Sequence, residues 1–218
     1  MWRNHGLSIV LVSLFVFSTL GQAVAGWRDH AASERQHGGT PPSFSAYLTS
    51  GHFWEATGEN WESEFLQMSA FVLLTTFLYQ KGSAESKRIG VIEQVDLDAR
   101  DFSHLPDAPK PVKRGGFALR LYEHSLGLTF AVLFVISVAI HAAGGLSEFN
   151  NEQVTHGQQI VSMGEYLRSA RFWFESFQNW QSEFLSLACM VIGTIFLRQR
   201  GSAESKPVFA AHSETGKT

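Results

Sequence analysis

A single cysteine, Cys189, stands in the 218 residues, and it falls inside an apolar run. Intramolecular disulfides and cysteine-cluster metal sites are thereby excluded, and the residue reads as a small packing group. Net charge is scarce too. The formal value is -3, and the basic residues sit beside apolar runs instead of interleaving with aromatics, so no nucleic-acid partner is expected. Catalytic signatures are missing: there is no Ser/His/Asp set, no phosphate-cradling glycine loop and no metal-binding helix motif, so neither an enzyme activity nor a cofactor is expected. His37 and His156 each precede a glycine but have no carboxylate or cysteine partner at a ligand spacing, which argues against a metal. Asp96-Leu97-Asp98 opens like a calcium loop, yet Asp101 stands where the turn glycine belongs. His5 and His124 occupy matching positions, as a bis-histidine haem would need, but nothing else near them suggests a porphyrin pocket.

Two stretches lack charge altogether. Leu7 to Ala25 and Leu126 to Leu146 are predominantly apolar, and at about 1.5 Å per residue each can cross roughly 30 Å of hydrocarbon. Ala23-Val24-Ala25 before Gly26 also resembles the cleavage site of a secretory signal. The rest of the sequence favours a retained helix, because sliding the chain by 119 residues matches His5 to His124, Leu14-Phe15-Val16 to Leu133-Phe134-Val135 and Gly26 to Gly145. The counterpart of the apparent signal therefore lies in mid-chain, where no signal peptide can be.

That repeat organises the chain. Residues 1–87 and 120–206 share 33 identities in 87 positions, 22 of them in the last 41. Each half carries Tyr, Trp and Trp spaced seven apart, Tyr47, Trp54 and Trp61 in one and Tyr166, Trp173 and Trp180 in the other, which keeps the aromatics on one helical face. An amphipathic helix at the water interface is predicted in each half, with Trp54, Trp61, Trp173 and Trp180 as interface anchors. Gly51 and Gly58 weaken the helical reading in the first half. A second span follows, starting at Trp61 or Trp180, and it carries Glu64 or Glu183 about one turn below the interface.

Each second span leaves through a basic turn and a glycine, Lys81-Gly82 and Arg200-Gly201, a helix stop that complements the dipole. An identical Gly-Ser-Ala-Glu-Ser-Lys follows in both halves. It reads either as a recognition element or as a polar exit with a membrane-surface lysine. The predicted helices are thus about 7–25, 61–80, 124–145 and 180–198. They form a first membrane repeat at 1–87 and a second at 119–206. Residues 88–118, with Pro106, Pro109 and Pro111 and charges of both signs, read as a mostly disordered linker, and 207–218 as a tail. Of the 17 basic residues, thirteen lie with the termini and linker and four (Arg28, Arg35, Arg168, Arg171) lie opposite, which puts both termini and the linker in the cytoplasm. The fold class expected is an all-α integral membrane protein with four transmembrane helices as two tandem parallel repeats.

With the repeated NWxSEFL and GSAESK elements, the His-Gly loops and FWFESFQNWQSEFL in view, the chain resembles a family of small bacterial inner-membrane proteins catalogued as a domain of unknown function. The resemblance covers essentially the whole chain. It implies a multi-pass protein of the bacterial inner membrane and supplies no activity.

Asn60, Glu64, Asn179 and Glu183 form the candidate polar cluster, since Asn and Glu four apart share a helix face and an acid within a span needs a reason. They could serve a cation, protons or a small polar solute. The plainer reading makes Asn60 and Asn179 helix caps and leaves Glu64 and Glu183 to the positive end of the dipole. On that reading the protein is structural or an interaction protein, with the lipid bilayer, a second copy of itself or an unidentified membrane protein as partner. The alternative is a transporter or channel for ions, protons or a small solute.

Overall fold

The first apolar run belongs to a helix much longer than itself. In the computed structural model, α1 spans Trp2–Gln36, 35 residues, because polar Trp27 to Gln36 has no glycine or proline to stop it before the Gly38 turn. The structure describes residues 2–216, without the side chain of Arg3; that side chain and Lys217, both counted above with the basic flank, lie outside the described residues. The other helices are α2 (Phe44–Leu48), α3 (Gly51–Leu74), α4 (Lys110–Arg114), α5 (Gly116–Glu123), α6 (Ser125–Thr155), α7 (Met163–Tyr166) and α8 (Ala170–Phe196), and there is no strand among the described residues. Two helices, over Asn4–Gln36 and Ser125–Thr155, are long and apolar enough to cross a membrane.

The helix ends differ from the sequence reading in ways that side chains explain. Ser43 caps α2 by accepting from Ala46 N, and Ser162 caps α7 in a capping box with Glu165. These short helices are all that precedes α3 and α8. No separate interfacial helix carries the tryptophans: Trp54 and Trp61 belong to α3, Trp173 and Trp180 to α8. At its far end α3 stops at Leu74, six residues short of the expected Gln80. Thr75 and Thr76 hydroxyls donate to the carbonyls of Phe71 (2.8 Å) and Leu73 (2.6 Å), which competes with helix continuation. Residues 88–118, read above as mostly disordered, contain 3-10 turns at Gln94–Asp96 and Ala99–Phe102 as well as α4. Local caps supply them: Glu93 and Asp96 close a capping box, and Asp98 accepts from Arg100 N.

Contacts divide the chain into two units, each drawing on both halves of the sequence. The first takes the chain up to Glu59 together with Val138–Trp173. It holds two small apolar clusters, Ala23, Tyr47 and Phe53, and Ala142, Tyr166 and Phe172, whose members correspond one to one at an offset of 119 residues. Both tyrosine hydroxyls lie over a glycine, Tyr47 over Gly26 and Tyr166 over Gly145, where any side chain would collide. Gly58 and Gly144 serve closer approaches still. A Cβ on Gly58 would stand 2.9 Å from His141 Cα, and one on Gly144 2.9 Å from Glu55 Cα, so α3 and α6 touch backbone to backbone.

The second unit takes Asn60–Ser137 together with the chain from Phe174 onward. Here Gln67 of α3 donates to Glu183 O (2.7 Å) and Ser186 Oγ (3.0 Å) of α8, while Phe65 meets Phe130 and Trp180 meets Phe134. Both Gly-Ser-Ala-Glu-Ser-Lys segments lie in this unit and fold into the same turn. Gly82 and Gly201 take φ of 88° and 85°. The first serine accepts from the glutamate N–H (Ser83 from Glu85, 3.0 Å; Ser202 from Glu204, 3.1 Å), and the second accepts from the N–H of the glutamine before the motif (Ser86 from Gln80, 2.9 Å; Ser205 from Gln199, 3.0 Å). The repeated motif is thus a self-bonded loop that satisfies backbone groups at a helix exit.

Candidate functional site

In the first unit, charged residues gather where α3, α6 and α8 meet. Glu55 is 7% exposed, and the Arg171 guanidinium reaches it at 3.7 Å, forms an ion pair with Glu152 and lies 5.7 Å over the Phe149 ring. His141 beside them is fully buried and stacks on Phe172 at 4.9 Å. In this network a permanent cation serves two carboxylates and an aromatic face, which is the setting that favours arginine. It fastens the starts of α3 and α8 to the last turns of α6, and its acids are compensated.

The repeat counterparts of Phe149 and Arg171 are His30 and His52, and they too are brought together. Their rings lie 4.8 Å apart, with Tyr47 Oη 3.4 Å from His52 Nδ1. Burial holds the His52 imidazole below its ordinary value and His30 adds to this, against the opposing pull of Glu148, Asp29 and Glu152. Burial, with Asp29 and Glu148, raises the Tyr47 phenol. One repeat therefore seats a fixed charge where the other seats a titratable one. Among the described residues, no group of three or more His, Cys, Asp or Glu side chains is placed to hold a metal ion.

The four cluster residues read from the sequence fare unequally. Asn60 and Asn179 lie well inside α3 and α8 and cap neither; Asn60 is exposed, and Asn179 donates to Glu175 O of its own helix at 3.1 Å. Glu64 and Glu183 stand within electrostatic reach of each other, but Glu64 is exposed and Glu183 half-buried. The buried acid of the second unit is Glu62, 1% exposed, which accepts from Trp180 Nε1 at 2.9 Å. Trp180 is thus an internal donor, and Trp61 is half-buried. Trp54 and Trp173 do present exposed rings, the latter donating to Leu167 O at 3.0 Å.

The lysines that close the two repeated loops differ most. Lys87 bonds Asp96 at 2.5 Å near the surface. Lys206 is 2% exposed, and its ammonium donates to the carbonyls of Gly82 (2.6 Å), Ala211 (3.1 Å), His212 (3.2 Å) and Glu214 (2.7 Å). Burial, helped by Arg198 and opposed by Glu214, lowers its ordinary value. Neither a recognition element nor a membrane-surface lysine describes that residue: it ties the C-terminal segment over the first repeated loop, where Gly82 N also donates to Thr215 Oγ1 and Gly216 N to Ser83 O.

Over residues 1–217 the sequence matches the model of a family described as Domain of unknown function (DUF6766). No curated protein and no solved structure matches it.

Proposed function

The chain belongs to the DUF6766 family of unknown function, and from that premise we propose that it is a multi-pass protein of the bacterial inner membrane, structural or interaction-forming in role, with four spans arranged as two tandem parallel repeats. The observation that carries this reading is the inverted distribution of polarity. Leu7, Phe17 and Leu20 of α1 are 76%, 75% and 62% exposed, and Leu126, Val132 and Val135 of α6 are exposed likewise, whereas Glu62, Ser63, Ser137 and His141 are buried. A water-soluble bundle carries the opposite arrangement, while lipid accepts exposed aliphatic faces and leaves small and polar residues to pack the helices.

Support for the tandem repeats comes from the one-to-one clusters and from the equal hydrogen bonding of the two exit loops. Support for cytoplasmic termini comes from the thirteen-to-four division of basic residues. A holding role is favoured over a reaction because the buried charges engage one another and the indole of Trp180. The corresponding experiment combines alkaline carbonate extraction of native membranes with ion and proton flux in proteoliposomes. Retention in the membrane pellet without flux above empty liposomes is expected; release into the supernatant would overturn the membrane reading.

The electrostatic proximity of Glu64 and Glu183 favours a second reading, a proton or cation pathway along the exposed side of α3 and α8. Flux in the wild type that disappears in a well-folded Glu64→Gln, Glu183→Gln double variant would select it.

A further inference from the structure

The second unit contains a half-open cavity of about 1040 Å³ beside the end of α3. That volume lies just above the roughly 300–1,000 Å³ typical of small-molecule sites. Its walls differ in chemistry. Val72 and Leu73 of α3 and Leu126, Leu128 and Ala131 of α6 line one part with aliphatic groups, and Gly127 among them lets Leu73 pack close, its Cδ2 3.3 Å from where a Cβ would stand. Another part carries four carboxylates, Glu85, Glu93, Asp96 and Glu123, against one lysine, Lys87, with His124 alongside. Two of those carboxylates are engaged by cations, Asp96 by Lys87 at 2.5 Å and Glu93 by Arg88 at 3.1 Å. The lining as a whole stays acidic.

We propose that this cavity binds one membrane lipid with an ammonium-bearing headgroup, an aminophospholipid, its acyl chain along the aliphatic wall and its ammonium toward Glu123. The proposal rests on the membrane reading above and names a ligand for it. Both walls are needed to select this class. A soluble cation makes no use of the aliphatic wall, and a hydrocarbon would desolvate the carboxylates without compensation. An anionic lipid would bring its charge into a lining that stays acidic after Asp96 and Glu93 are paired with Lys87 and Arg88. In an aminophospholipid the phosphate can lie beside Lys87 and His124 while the ammonium meets Glu123.

The test uses the full chain in nanodiscs of equal phosphatidylethanolamine and phosphatidylglycerol, with bound lipid read by native mass spectrometry. At least a fivefold preference for phosphatidylethanolamine adducts is expected in the wild type. Glu123→Lys, which reverses the charge there, is expected to lose that preference while the thermal midpoint is kept, and Gly127→Phe, which sets a ring against Leu73 in the cavity, is expected to lose it too. Should Gly127→Phe fail to fold, Glu123→Lys decides alone. Equal retention of both lipids by the wild type, or a preference that survives Glu123→Lys, overturns the proposal and leaves the membrane reading intact. Release of the protein from carbonate-treated membranes overturns both.

Discussion

Glycine inside a helix costs about 1 kcal/mol relative to alanine, yet α3 keeps Gly58 and α6 keeps Gly144. The backbone contacts at both positions are the compensation. Gly58→Val is predicted to lower the thermal midpoint in detergent and the folded yield, by the equivalent of about 1–3 kcal/mol of overpacking or more. Gly21→Ala, where a Cβ meets nothing within 4 Å, should leave the midpoint equal or slightly raised. Glu62 invites a second comparison. Glu62→Leu removes the acceptor of the Trp180 indole and should cost about 1–3 kcal/mol. Glu62→Gln, which keeps an oxygen there, should cost less, and Glu64→Gln should leave the midpoint nearly unmoved. The sequence reading singled out Glu64 and passed over the buried Glu62, for a physical reason. Identity between the repeats marks what both halves need, such as turns, caps and helix contacts. Lys206 aside, the buried acids and the titratable His52 sit where the halves differ: Glu62 faces Gln181 across the alignment, Glu55 faces Phe174 and His52 faces Arg171. Departures from the repeat were the available signal, and Gly58, first read as weakening the helix, was another sign of it.

Among the elements, the two exit loops show how one motif serves two situations. Their internal bonds follow from Gly and the two serines and could be anticipated from turn chemistry, whereas the fate of each lysine depends on what lies opposite. Lys206→Met is predicted to free residues 207–216, seen as faster amide exchange and proteolysis confined to that segment, while Lys87→Met leaves it unchanged. The corner of α1, α2 and α3 supplies a pH dependence. His52 has its folded value below the ordinary 6.5, so the folded state favours the neutral ring. Its contribution is present above about 6.5 and is lost as pH falls through the lowered folded value. The wild type should therefore lose thermal stability between pH 7 and 5 more steeply than His52→Gln, measured by detergent thermal-shift profiles. Helix lengths were legible only in part, because an apolar run marks only part of a helix while α1 and α6 continue through polar turns that nothing interrupts. The Thr75-Thr76 stop of α3 was readable from hydroxyl back-bonding, had it been weighed against the apolar run.

For the whole molecule, the central proposal is that the two tandem repeats cross the membrane in the same sense, with termini and linker on one side. Its legible basis was simple: two uncharged runs of sufficient length, an offset of 119 residues, and a lopsided distribution of Lys and Arg. The spans proposed through α3 and α8 leave a weaker trace in the sequence, because the acids and serines of these helices dilute the apolar signal. Single cysteines introduced into a Cys189→Ala background test the claim most directly, with labelling of intact cells by a membrane-impermeant maleimide before and after permeabilisation. Ser33→Cys and Thr155→Cys are predicted to react in intact cells, and Ser103→Cys and Ser213→Cys only after permeabilisation. Reaction of Ser103→Cys in intact cells, or equal protection of Ser33→Cys and Ser103→Cys, would contradict the account.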